Sequence, residues 1–494
     1  MYTPSREEFR RKAQQGNLVP VYREILADTE TPVSAFLKID RGDYAFLLES
    51  VEGGERVARY SFLGADPSWV FASKGNRVRL LDPQTARVQE WEATDPFAEL
   101  ERLMARYRPV SVVGLPPFHG GAVGYLAYDM VRFFEELPDT TEDDLGLPDS
   151  IFMLTRTILV FDRVAHKVKV VSNALVEDPS QADRAYDEAI GQIEALIGRL
   201  RQPQPWIGKP RGGAGTLPPP KSNMTREQFE ASVRRIKEYI AAGDVIQTVF
   251  SQRFALPLTV EPFDFYRALR TVNPSPYMYF LRAGGSPHRR SLAGDAGSRR
   301  RETGPDCVRS PAASPRGATP EEEDLRLEQQ LLADPKERAE HIMLVDLGRN
   351  DLGRVWRYGT VRVEDLMDHR AILSRDAHRL EPVVGELRPD KTAFDVIALR
   401  APSLPGRLAA RPKIRAMEII DELEPTPSRA VRRRSRILLG FERQRRHSDH
   451  HPNAGDAREG GRYVQAGGGI VADSVPAKEF QESVRQSQGG PPRA

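Results

Sequence analysis

Apolar and polar positions along this chain follow two rhythms, and the change from one to the other marks the elements. Helical spacing, with apolar residues every three to four positions, runs through residues 96–106 and 181–201, and a more polar helix is expected over 6–15. Alternation of strand type marks residues 43–51. It marks 156–161 and 167–172 as well, which face each other around a turn as a hairpin does. Residues 118–128 read as a glycine-bearing turn entering a strand, and 202–221, rich in Pro and Gly, as a linker. Beyond it, Asn223 and Thr225, with Glu227 and Gln228 close behind, form a cap for a helix over 229–242 that Gly243 ends. A strand over 245–254, a turn over 273–276, a strand over 277–281 and helices over 320–332 and 336–347 follow. The pattern divides the chain into an N-terminal region, 1–201, a linker, 202–222, and a second region, 223–494.

Composition narrows the class. A chain of 494 residues, 39% hydrophobic and 29% charged, has a globular balance and length for one large domain or two to three ordinary ones. The net charge of +2 gives no bias toward nucleic acid or membrane surfaces. No stretch reaches the roughly 18–20 apolar residues that span a bilayer. The N-terminus lacks the apolar core of a signal peptide, and the single cysteine, Cys307, excludes an internal disulfide. A cytoplasmic protein is the expectation.

Two runs carry candidate chemistry. In the helix over 336–347, Glu337, Glu340 and Leu344 fall on one face, with Asp346 near its end. Lys336 and Arg338 suit a solvated acidic face. The apolar residues Ile342, Met343, Leu344 and Val345 suit a buried end instead, where a carboxylate needs a partner and a hard divalent cation fits oxygen ligands. The second run, 464–471, holds Gly467, Gly468 and Gly469 and reads as strand, turn, strand. Such glycines let backbone N–H groups approach an anion, although an ordinary hairpin would look the same. Glu482 follows Gly469 by thirteen residues, and Glu479 and Glu482 share a helical face.

Together these runs resemble the chorismate-utilising enzymes, and within them the anthranilate synthase component I family. Supporting matches are Leu47-Leu-Glu-Ser50, Ala58-Arg-Tyr-Ser-Phe-Leu-Gly64, Gly120-Gly-Ala-Val-Gly-Tyr125, Gly243-Asp-Val-Ile-Gln247, Asn273-Pro-Ser-Pro-Tyr-Met278 and Pro412-Lys-Ile-Arg-Ala-Met-Glu-Ile-Ile-Asp421. The resemblance implies an α+β fold of two antiparallel sheets packed as a sandwich, with helices outside. It implies Mg2+ held by Glu340 and Glu482, and a chorismate carboxylate held at Gly467, Gly468 and Gly469. Tryptophan, as feedback inhibitor, would contact Ser50, Pro276, Tyr277 and Met278. The reaction implied is chorismate plus ammonia to anthranilate plus pyruvate. A glutamine amidotransferase subunit would supply the ammonia, since Cys307 is no credible glutaminase nucleophile.

Four stretches, 284–314, 368–382, 401–411 and 427–458, break every periodic pattern and are crowded with Arg, Ser, Pro and His. Their arginine runs lack the interleaved aromatics of a nucleic-acid site, and His447, His450 and His451 lack regular ligand spacing. Each stretch can be back-translated so that a shifted reading frame restores family-like sequence. Residues 449–458 become ITIRTLVMRE, 368–381 become TIERYSHVMHIVSN, and 288–302 become IVGASPEMLVRVEE. Residues 428–439 give RGPYGGAVGYF, and from 401 a frame two bases later gives TFPAGTL. The expectation is that the written sequence carries compensating base insertions and deletions. As written, the family's Gly-Thr pair falls on Ala312 and Ala313, its chorismate-binding tyrosine on Ile437, and its arginine on Asn453. Its catalytic histidine is lost near Ala377 and His378, and residues 486–494 also depart from the family. The literal chain is therefore expected to be inactive, with a compromised C-terminal half. The alternatives are an aminodeoxychorismate, isochorismate or salicylate synthase, or, if the stretches are genuine, a non-catalytic tryptophan-binding relative.

Overall fold

The computed structural model describes residues 1–26, 28–49, 59–141, 143–203, 219–256, 260–272, 278–284, 353–363, 385–392, 412–425 and 463–487, with the isolated positions 342, 346, 349–350 and 394–395. It describes as backbone alone 291–295, 299–300, 306–311, 378–384, 435–440, 445–448, 455–458 and 461–462. Before the linker lie strands β1 (Leu18–Leu26), β2 (Tyr44–Glu49), β3 (Tyr60–Ala65), β4 (Trp69–Lys74), β5 (Arg77–Asp82) and β6 (Arg87–Glu92). They continue with β7 (Gly121–Leu126), β8 (Ser150–Thr155), β9 (Thr157–Asp162) and β10 (Lys167–Leu175). After it come β11 (Lys221–Ser222), β12 (Thr248–Leu256), β13 (Met278–Ala283), β14 (Ser291–Asp295), β15 (Arg299–Arg300) and β16 (Asp306–Pro311). The remainder are β17 (Arg362–Val363), β18 (His378–Val384), β19 (Ser435–Gly440), β20 (Arg445–Ser448), β21 (Gly455–Arg458) and β22 (Gly461–Ile470).

Among the described residues these strands form an eleven-stranded sheet, β1-β10-β9-β3-β2-β13-β14-β21-β22-β12-β11. An eight-stranded sheet runs β15-β20-β19-β7-β8-β4-β5-β6, and a three-stranded one β16-β18-β17. Their ladders are antiparallel, as in the expected hairpin, where Val168 opposes Phe161. Strands from both sides of the linker share the larger sheet, joined where β2 pairs β13.

The two large sheets face each other. Phe46, Phe62, Ile158, Val160, Val171, Tyr279 and Leu281 from the larger meet Val70, Val123, Tyr125, Ile151 and Met153 from the smaller in one buried cluster. Helices cover the outer faces. Helices α1 (Arg6–Lys12), α2 (Pro32–Ile39), α4 (Ala182–Leu200) and α6 (Pro262–Val272) pack on the larger sheet through Phe9, Phe36, Ile193 and Tyr266. Helix α3 (Pro96–Ala105) packs on the smaller through Phe97, Leu100 and Leu103. Helices α5 (Arg226–Ala242), α7 (Lys413–Leu423) and α8 (Pro476–Ser487) gather around the β12–β22 end, burying Phe229, Ile236, Met417 and Ile420 against Phe250 and Ile470. This is the α+β sandwich expected from the sequence, and burial of apolar stripes on both faces of each sheet accounts for its layers.

Local signals act as the sequence suggests. Thr225 caps α5 with its hydroxyl on the Gln228 amide while the Gln228 side chain returns to the Thr225 amide. Gly243 ends that helix at φ +87°, a left-handed conformation that favours glycine.

Candidate functional site

The glycine triplet needs a correction. Gly467, Gly468 and Gly469 do not form a turn: they lie inside β22, paired in unbroken antiparallel register with Ser251, Phe250 and Val249 of β12. Their lack of side chains serves close approach. A Cβ at Gly467 would stand 2.0 Å from the Phe250 carbonyl oxygen, and one at Gly469 2.3 Å from Gln247 Nε2.

Helix α8 lies against this strand with two distinct faces. Phe480, Ser483 and Ser487 point inward; Phe480 meets the Phe229 ring with centroids 5.6 Å apart. Glu479, Glu482 and Gln486, spaced three and four residues apart, accompany the glycines. Glu479 Oε2 lies 3.4 Å from the place where a Gly468 Cβ would stand. Gln486 spans both elements: its Nε2 donates to Glu482 Oε1 at 3.0 Å, and its Oε1 accepts the Gly467 N–H at 3.2 Å. An oxygen-only donor set of two half-buried carboxylates beside glycine backbone suits a hard divalent cation. Among the described residues no group of three or more His, Cys, Asp or Glu gathers in one place. The other expected ligand, Glu340, lies outside the described residues.

Buried polar side chains fix β12 from both sides. On one, Gln465 Nε2 donates to Ser251 Oγ at 2.9 Å, and Ser251 Oγ donates to Glu424 Oε1 at 2.7 Å, just beyond α7. On the other, Gln252 Nε2 donates to Ser483 Oγ at 2.6 Å, and Gln252 Oε1 accepts from Ser222 Oγ at 2.6 Å. Sequence reasoning missed Glu424, Ser251, Gln252, Gln465, Ser483 and Gln486. One signal was present: Ser251 and Gln252 stand between Phe250 and Phe254 in a predicted strand, and polar groups that become buried require partners.

A second region forms where β2 meets β13. Met278, 2% exposed, stands opposite Glu49, and Tyr279 opposite Leu48. Two sequence segments more than two hundred residues apart thus become neighbouring strand ends. Glu49 is buried, accepts from Tyr266 Oη at 2.7 Å and pairs with Arg270 Nε at 2.7 Å. Burial, outweighing Arg270 and Tyr266, raises the Glu49 carboxyl above the ordinary glutamate range. Burial and then the neighbouring Glu49 push the Tyr266 phenol well up. Ser50, Pro276 and Tyr277 lie outside the described residues, as do Ala312, Ala313, Ala377 and Asn453. Ile437 lies on β19 opposite Gly124, and His378 opens β18 opposite Pro311.

This fold is that of a chorismate binding enzyme, whose family model matches residues 43–294 and 296–431. Anthranilate synthase component 1 of Acetivibrio thermocellus is 40% identical over 98% of this chain and 96% of its own length, and that of Pseudomonas aeruginosa 42% identical over the same shares. The crystal structure of anthranilate synthase component I from Streptococcus pneumoniae superposes with a TM-score of 0.74 at 30% identity, covering 94% of this chain and 98% of that one. The menaquinone-specific isochorismate synthase of Escherichia coli shares the fold, with a TM-score of 0.66 at 16% identity over 99% and 98% of the two chains. The chain belongs to the chorismate binding enzymes, in the anthranilate synthase component 1 family. Among the described residues no helix is long and apolar enough to cross a membrane.

Proposed function

We propose that this chain is the large subunit of an anthranilate synthase, acting in tryptophan biosynthesis. It converts chorismate and ammonia into anthranilate, pyruvate and water. The observation that carries the reading is the identity of about 40% with anthranilate synthase component 1, sustained over nearly the full length of both chains.

Glu482, with Glu340, would hold Mg2+, and the glycine strand would receive a substrate carboxylate close to its backbone. When bound, the ion supplies charge neutralisation at the ring carboxylate and at the departing hydroxyl. Gln486 holds Glu482 in place beside the strand, bonded at once to that carboxylate and to the Gly467 N–H. Ammonia adds to the ring as the hydroxyl leaves, and loss of pyruvate with a ring proton completes an aromatic product. Proton transfer in the second step falls to a histidine, encoded in the shifted frame near Ala377 and His378. Ammonia comes from glutamine through a partner amidotransferase subunit. Tryptophan binds where the Leu47–Glu49 strand end meets Met278, with Ser50, Pro276 and Tyr277 as further contacts; the pairing of Glu49 with Met278 supports that location.

The test is product identification with chorismate, ammonium and Mg2+, using both the written chain and one expressed from a frame-corrected gene. Blue fluorescence of anthranilate from the corrected protein, suppressed by tryptophan, is the expected result. Isochorismate, salicylate or aminodeoxychorismate as product would overturn the reaction assigned.

A further inference from the structure

Gln252 sits in the middle of β12 with no exposed surface, and its amide is bonded both to Ser222 of β11, at the end of the linker, and to Ser483 of α8. The hydrogen bonds around it have a fixed direction. The Met224 amide donates to Ser222 Oγ at 3.1 Å, and Ser222 donates onward to Gln252 Oε1. At the other end Gln252 Nε2 donates to Ser483 Oγ, and Ser483 spends its own proton on the Phe480 carbonyl at 2.8 Å. Each hydroxyl has one proton, so the chain runs one way only, and a primary amide is the group that both accepts at one end and donates at the other.

Ser483 is the neighbour of Glu482 and lies on the inward face of α8, and Gln252 opposes Ala466, the residue before the glycine triplet. The same side chain therefore ties α8 to β12, the strand paired with β22, while Gln486 ties α8 to β22 itself. We propose that Gln252, through Ser483, is a positioning residue for the divalent-cation site: it holds the carboxylates of Glu479 and Glu482 at the distance from Gly467–Gly469 that metal binding requires. This rests on the proposed magnesium reading of Glu482. Partners that orient metal ligands typically change affinity by about 10- to 100-fold when removed.

The test uses the full chain and Mn2+ alone, an oxygen-preferring cation whose free form is counted by electron paramagnetic resonance, with Mg2+ as competitor. Ser483→Ala removes one hydroxyl and little volume, Ser483→Thr keeps the hydroxyl, and Gln252→Leu removes both ends of the bridge. The expected result is Mn2+ affinity weakened about 10-fold in S483A and Q252L, and restored in S483T. A thermal midpoint for S483A within a few degrees of the parent would accompany it. Unchanged Mn2+ affinity in S483A and Q252L, with only their melting temperatures lowered, would reduce Gln252 to a packing role and overturn the proposal. Loss of affinity in E482Q, but not in these variants, would overturn it while leaving the magnesium reading intact. Absence of Mg2+-competable Mn2+ binding by the parent chain would overturn both.

Discussion

At the scale of single residues, Glu49 is the most consequential group that sequence reading passed over. Its segment was singled out for Ser50, yet the carboxylate next to it is the one placed in the core, between Tyr266 and Arg270. A carboxyl whose folded pKa is raised retains its proton to higher pH in the folded than in the unfolded chain. Between the two values the folded state binds more protons, so this group's contribution to stability falls as pH rises through that interval. The sense is opposite to that of Asp162 and Glu24, whose folded values are lowered and whose contributions are lost as pH falls. Glu49→Gln carries no titration. Urea midpoints of parent and variant, compared from about pH 4 to pH 8, should diverge across the interval just above the ordinary glutamate value. The parent should lose stability relative to E49Q as pH rises. Parallel curves would mean that Arg270 offsets the burial completely.

At the scale of elements, β22 shows what the sequence made legible and what it concealed. Caps and periodicity act locally, so α5, α4 and the β9–β10 hairpin stand within a few residues of their expected limits. The glycine triplet was read as a turn because three glycines permit one. Glycine inside a strand has another use, the close approach of a second backbone or a ligand, and only the pairing with β12 reveals it. The partners of Gln252, Glu424 and Ser483 were hidden for a related reason: the chain brings them together from far away. The strand reading gives its own expectation. Gly467→Ala forces a methyl group to within 2.0 Å of a backbone oxygen that has no room to yield. Such overpacking should cost on the order of 3 kcal/mol, while Gly468→Ala, which meets only the end of the Glu479 side chain at 3.4 Å, should be far milder. Denaturant midpoints of the two variants measure the difference. Equal effects would restore the turn reading.

At the scale of the whole molecule, the sheet order bears on the four aperiodic stretches. In the larger sheet β14 and β21 lie between β13 and β22, away from either edge. Those neighbours are buried on both faces, through Met278–Leu281 on one side and Val464, Gln465 and Ala466 on the other. A slot so enclosed calls for an apolar, β-branched strand. The written residues of β21 are Gly455, Asp456, Ala457 and Arg458, and those of β14 end in Gly294 and Asp295. The frame-shifted product of 449–458, ITIRTLVMRE, puts Val and Met where Gly455 and Asp456 are written and an alternating β-branched run ahead of them. The family match breaks at residue 295 and ends at 431, both inside aperiodic stretches. Resequencing the gene across codons 280–320, 365–385, 398–413 and 425–461 should therefore find paired insertions and deletions that bracket each stretch. The corrected chain should then unfold cooperatively at a higher temperature than the written one, because Val and Met replace Gly455 and Asp456 in an interior strand of the larger sheet. A gene confirmed base for base would sink the frame hypothesis. The decisive contrast would then be tryptophan binding without turnover, even with ammonium supplied: the property of a relative that kept the contacts proposed for tryptophan at the paired ends of β2 and β13 and lost its chorismate site.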